Sequence, residues 1–282
     1  MGKALFAALV SVVLWAAAFV GIRAAGHDFS PGALALARLT IGSLLLGGLL
    51  FARGWVRPTR RELGLLFIAG LTWFGAYSVI LNEAERRVDA GTASMLVMIA
   101  PIVVVALAAL FLKERITRGL LVGGLVAFGG VVLIGAATSS GNASLLGTVL
   151  CLVAAVASAI GLVAEKPVLN RLSALQAVWI CCSVGALVCL PYAPGLVREL
   201  RTASTNATAW LVFLGVFPTS VAFTTWAYAL ARGTAGSVVA MAYLIPPVTI
   251  AMSWAILGEV PSLLAVLGGA LCIVGVYITR RA

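Results

Sequence analysis

The chain has 282 residues, of which 62% are hydrophobic and only 10% charged, and it carries a formal net charge of +10. A soluble domain has roughly a quarter charged residues, so a mean hydropathy of +1.14 excludes an ordinary globule and points to a chain that lives in a lipid bilayer. The basic excess lies in short connections between apolar runs, which leaves no basic face for nucleic acid as a partner.

Thiol and imidazole chemistry is thin. Cys151, Cys181, Cys182, Cys189 and Cys272 all fall inside apolar runs, their number is odd, and none stands in Cys-x-x-Cys or Cys/His spacing. They read as small buried hydrophobes. With His27 as the one histidine, a multi-His metal centre is impossible, and neither metal nor cofactor is expected.

A spanning helix needs about 20 mostly apolar residues. Ten stretches qualify: about 4–23, 31–52, 62–82, 90–112, 117–137, 145–165, 173–193, 208–230, 234–257 and 262–279. The first run is too long for the apolar region of a secretory signal and is expected to be a spanning helix. Trp15 and Phe19 stand four apart on it and share one face; each either lines a cavity or sits against lipid. The second run carries Arg38, the one charge set well inside a span. Such groups are costly and mark solute or gating sites, unless the side chain snorkels to the headgroups.

The third run places Trp73 and Tyr77 four apart, with Asn82 on the opposite side of the helix. The fourth carries Met98 and Pro101 and ends at Glu114. A proline in mid-span removes an amide donor and frees a carbonyl, here that of Val97. The resulting kink serves either packing or a cavity wall. The fifth and tenth runs are glycine-rich (Gly119, Gly123, Gly130; Gly268, Gly269, Gly275), which suits close helix packing within a bundle or between the protomers of a homodimer. Glu165-Lys166 closes the sixth run and reads as a solvated pair. The connection 194–207 is polar and plain. The ninth run holds Tyr243, Pro246 and Pro247, and Glu259 follows it.

Two of these runs are copies. Pro246 and Glu259 lie 145 residues after Pro101 and Glu114, and the same offset maps Arg87 onto Arg232, Gly123 onto Gly268 and Gly130 onto Gly275. A repeat at constant register decides the architecture: two five-helix units, 1–138 and 144–282. With the N-terminus inside, thirteen Lys and Arg fall in cytoplasmic segments and five outside, so both termini are expected in the cytoplasm. Five is odd, so the units have opposite orientation, which is the device of secondary transporters. The fold class expected is all-α integral membrane, ten transmembrane helices in two inverted repeats.

The candidate substrate-binding residues are therefore Trp15, Phe19, Arg38, Trp73, Tyr77, Met98, Pro101, Tyr243 and Pro246, with Met98 and Tyr243 as symmetry mates on the cavity wall. A carboxylate at a helix C-terminus opposes the helix dipole, so Glu114 and Glu259 are expected in gate or structural salt bridges, Lys113 or Arg118 being partners for Glu114. No nucleotide-binding loop is present. No carboxylate stands at mid-depth as a proton relay, so a facilitator stays open beside proton coupling.

The assembled pattern resembles the EamA-type transporters of the drug/metabolite transporter superfamily. The resemblance rests on Trp15, Phe19 and Arg23 in the first run, Pro31 and Arg38 in the second, Ala93 through Pro101 to Leu112-Lys113-Glu114, and Ala240 through Pro246 to Leu257-Gly258-Glu259. It implies a central cavity in the inner (plasma) membrane and export of metabolites, amino acids or amphipathic drugs, without enzymatic activity. The chain departs from the pattern at Arg23, where a lysine is common, and at Gly258, opposite Lys113. An exchanger of phosphorylated solutes would need two or more inward cations, and only Arg38 offers one. A membrane enzyme or a scaffold subunit is the reading from another class, and His27 beside Asp28 is poor material for catalysis.

Overall fold

The computed structural model describes residues 2–88, 93, 96–138, 144–257 and 262–281, and all their regular structure is helical. The elements are α1 (Gly2–Ala25), α2 (Pro31–Phe51), α3 (Arg60–Ala84), α4 (Ala100–Phe111), α5 (Arg118–Thr138), α6 (Leu145–Glu165), α7 (Ala174–Val188), α8 (Ala193–Leu200), α9 (Thr205–Leu230), α10 (Ala235–Val239), α11 (Ile245–Leu257) and α12 (Leu263–Arg281). Among the described residues eight helices are long and apolar enough to cross a membrane; the pair at α7 and α8, bent by 51°, makes a ninth if counted as one span. The fourth predicted run is helical over α4, and residues 89–92 and 94–95 of it lie outside the described residues. Glu259 lies outside them as well.

One expectation is corrected at once. The connection 194–207 is not plain coil, because residues 193–200 form α8, whose Glu199 accepts from the amide of Ser30 at 2.9 Å. Polar composition hid a short amphipathic helix.

Register is kept between the halves of the chain. Thr59 caps α3, and Ser204, 145 residues later, caps α9. The hydroxyl of Thr117 accepts from Leu120 N, and Ser262 likewise from Ala265 N. Such caps satisfy amides that a helix start leaves without partners. Within α3 a π-helical stretch runs over Gly70–Ala76, and within α9 another over Gly215–Ala222; wide turns of this kind concentrate at functional sites. The helix ahead of Pro101 opens at Met98 and Ile99, and the chain ahead of Pro246 narrows to a 3₁₀ turn over Ala240–Leu244. Both prolines thus sit where the helical ladder is already interrupted.

The glycine runs pack against each other. A Cβ added at Gly123 would stand 2.5 Å from the Gly275 carbonyl oxygen, and one at Gly130 would stand 2.5 Å from that of Gly268. The Sγ of Cys272 donates to the carbonyl of Ala127, its own equivalent in the repeat, at 3.4 Å. The contacts cross between the copies, so the α5–α12 seam has an internal two-fold relation. Gly123, Gly130, Gly268 and Gly275 are spent inside one chain, and the homodimer reading loses them. All five cysteines are free and buried.

At the end of α4, Lys113 takes φ +56°, the left-handed conformation that a helix stop demands and glycine favours. Its equivalent in the repeat is Gly258. Gly258 lies outside the described residues.

Candidate functional site

The interrupted helices enclose a cavity of about 100 Å³ whose wall is overwhelmingly apolar. Trp15 and Phe19 reach it from α1, Arg38 from α2, and Trp73 and Tyr77 from α3; Met98 reaches it from the break ahead of α4 and Pro101 from the first turn of α4. Seven of the nine predicted site residues therefore converge. Tyr243 and Pro246 do not. Tyr243 is 1% exposed and faces a separate crevice with Pro101 and Val105, near the ring of Phe128 at 6.4 Å. In its place the second half contributes Ala242 and Ile245. The expected pairing of Met98 with Tyr243 on one wall fails because the 3₁₀ turn rotates Tyr243 away.

An aromatic cluster forms the cavity's central wall. Trp15 packs edge-on to Trp73 at 6.3 Å and lies 4.8 Å from Trp226 and 5.3 Å from Phe223. Trp73 in turn meets Phe223 at 5.0 Å. The Trp15 indole donates to the carbonyl of Pro218 at 3.3 Å, and Pro218 is the repeat equivalent of Trp73. Trp226 is 1% exposed, and its indole N–H has no hydrogen-bond partner among the described residues.

Sequence reasoning missed Phe223, Trp226, Ser158 and Thr219. One signal was available: Trp226 stands 145 residues after Leu81, and both line the cavity.

Arg38 does not snorkel. It is 7% exposed, it lines the cavity, and its Nε donates to the hydroxyl of Thr219 at 3.0 Å. The Thr219 hydroxyl in turn donates to the carbonyl of Leu214 at 2.8 Å, five residues back. Among the described residues no carboxylate pairs with Arg38. An enclosed guanidinium with one neutral partner keeps donors for an incoming acceptor.

Beside this cavity lies a second, polar one of about 460 Å³, lined by Arg23, His27, Asn82, Glu85 and Arg86, with Ile22 common to both. Trp73 and Asn82 thus face different cavities along one helix, as their opposite positions require. Asn82 donates to the carbonyl of Pro31 at 3.0 Å, and its Oδ1 has no partner among the described residues. Above it, Asp28 accepts from the amide and hydroxyl of Ser204 at 2.8 and 2.6 Å. The Ser204 hydroxyl, then its amide, hold the Asp28 carboxyl below its ordinary range.

Two expectations about charges at helix ends change. Glu114 accepts from the amides of Ala235 and Gly236 at 2.8 and 3.3 Å, capping α10 of the other repeat; among the described residues it forms no ion pair with Lys113 or Arg118. The carboxylate thus escapes its own helix's unfavourable end by serving the favourable start of another. Glu165 and Lys166 are not a solvated pair. Glu165 is 1% exposed, while the Lys166 ammonium donates to the carbonyls of Leu230 and Gly233.

The model of the EamA-like transporter family matches residues 2–136 and 145–281. A relative from Streptantibioticus cattleyicolor, named "Probable terminal-alkyne amino-acid exporter", is 39% identical over 100% of this chain and 94% of its own length. A "Probable amino-acid metabolite efflux pump" of Escherichia coli is 28% identical over 96% of this chain and 92% of its own. One solved crystal structure superposes over 100% of this chain and 99% of its own with a TM-score of 0.79 at 19% identity, a likeness of fold alone.

Proposed function

The chain belongs to the EamA-like transporter family, and on that premise we propose that it is a secondary transporter exporting small amphipathic solutes, amino acids and amino-acid-like metabolites first among them. One observation carries the reading: an apolar, tryptophan-walled cavity holds a single enclosed guanidinium that forms no ion pair among the described residues. Apolar walls with a few placed polar groups are what small-molecule sites require. The rings take an apolar side chain, Arg38 takes a carboxylate, and the unpartnered N–H of Trp226 takes a further acceptor. The relatives named as amino-acid exporters and efflux pumps support the same solute class.

Transport proceeds by alternating access between two inverted repeats, 1–138 and 144–282, in the inner (plasma) membrane with both termini cytoplasmic. The recurring caps, π-helical stretches and proline breaks support the repeats, and the excess of basic residues in one set of connections supports the orientation. The capping contact of Glu114 with Ala235 and Gly236 joins the repeats at the inner end and acts as a latch that opens with the inner gate.

The test is exchange of labelled L-leucine across vesicles reconstituted with the purified full chain. The reading expects exchange that other apolar amino acids inhibit and sugar phosphates do not. Inhibition by sugar phosphates would instead favour a phosphorylated solute.

A further inference from the structure

Two carboxyl groups stand outside the solute site and are used by nothing described so far. Glu85 follows the cavity-lining Leu81 by one helical turn at the outer end of α3. Glu165 follows the cavity-lining Leu162 by one turn at the other end of α6. They therefore flank one cavity at opposite ends. Among the described residues Oε1 of each is enclosed without a hydrogen-bond partner, and no ion pair reaches either, Arg87–Glu83 and Arg171–Glu62 being the pairs present.

Their surroundings differ. Toward Glu85 face Arg23 of α1, Arg38 of α2, Tyr77 of α3 and Cys151 of α6, and His27 and Arg86 share the outer cavity with it. Toward Glu165 face the thiols of Cys181 and Cys182 on α7, and its neighbour Lys166 is committed to two carbonyls. An enclosed carboxylate oxygen without a hydrogen-bond donor is costly in its charged form, and a proton removes the cost; at Glu85 Arg23 and Arg38 offset part of it, whereas Glu165 has no ion pair among the described residues. Glu85 opens toward outer water through the polar cavity, whereas Glu165 meets water when the inner gate opens.

We infer that this transporter is proton-coupled, with Glu85 taking a proton from the outer face and Glu165 delivering one to the cytoplasm as solute moves out. The inference rests on the export reading above. Inward proton movement supplies the work for outward solute movement, and no bond other than the O–H of each carboxyl forms or breaks.

The experiment uses the full chain in vesicles with labelled L-leucine as probe, comparing wild type with Glu85→Gln and Glu165→Gln, which mimic the protonated shape. Equal-pH exchange reads solute handling, and uptake into vesicles with an acidic lumen reads coupling. One proton per solute and one pH unit give roughly tenfold accumulation. The expected result is that accumulation in wild type, with each variant keeping exchange and losing accumulation. Wild-type exchange without accumulation, or both variants accumulating like wild type, would overturn the coupling. If wild type shows no leucine exchange, the export reading for this solute class fails separately. Infrared spectra then decide the carboxyls: a protonated-carboxyl stretch at neutral pH that weakens in each variant supports them as proton sites, and its absence rejects them.

Discussion

The Nε of Arg38 donates to the Thr219 hydroxyl across 3.0 Å, joining the guanidinium on the cavity wall to the π-helical stretch of the other repeat. Thr219→Val keeps the shape and removes that acceptor. A hydrogen bond to a charged group contributes about 1.5–3 kcal/mol, so KM for solute export rises roughly tenfold while the protein still folds. Kinetics in reconstituted vesicles check it, and an unchanged KM would remove Thr219 as a positioning residue.

The aromatic wall sets the size of the solute. Trp73→Ala opens space beside Trp15 and Phe223, and a core Trp→Ala change costs about 3–5 kcal/mol of stability. The variant is therefore assayed under conditions where it stays folded. Bulkier apolar amino acids should then compete better against L-leucine than they do in wild type. An unaltered order of competition would place the solute elsewhere.

The α5–α12 seam predicts opposite outcomes for neighbouring glycines. Gly123→Ala would set a methyl group 2.5 Å from the Gly275 carbonyl oxygen and should cost about 1–3 kcal/mol through overpacking. Gly129→Ala meets nothing within 4 Å and should be neutral or stabilising, since alanine is the better helix former. Thermal unfolding in detergent separates them.

Much of this was legible in the sequence because it depends on composition and period. The apolar runs, the 145-residue register and the intramembrane Arg38 are one-dimensional signals. Arg38 and the Trp15–Phe19 and Trp73–Tyr77 pairs line one cavity, where spacing gave only shared faces and left lipid contact or snorkelling open. What failed depended on local helix geometry. Tyr243 turns away because the 3₁₀ stretch ahead of Pro246 changes the angle per residue, and no periodicity argument sees that. Glu165 looked solvated because it stands at the end of an apolar run, yet neighbouring elements bury it. Phe223 and Trp226 were lost in a run with no charge, whose one proline, Pro218, has tryptophan and not proline as its repeat equivalent.

The loops ahead of α2 and α9 share a pH-sensitive tie. The carboxyl of Asp28 is held below its ordinary value of 3.8 by Ser204. Its contribution is present above that value and is lost as pH falls through the lowered one. Hydrogen exchange at the Ser204 amide should quicken below that range in wild type, and should be fast at every pH in Asp28→Ala. Exchange that ignores pH would show that Asp28 does not hold the loop.

The central claim is export of small amphipathic solutes through the Arg38 cavity. Mass spectrometry of growth medium from bacterial cells overproducing the wild type, the Arg38→Ala variant or nothing from the empty vector tests it most directly. The account predicts apolar amino acids or related metabolites accumulating with wild type and at least about tenfold less with the variant, the loss expected when a charge-assisted contact is removed. Equal media from wild type and empty vector, with the protein present in the membrane, would contradict it.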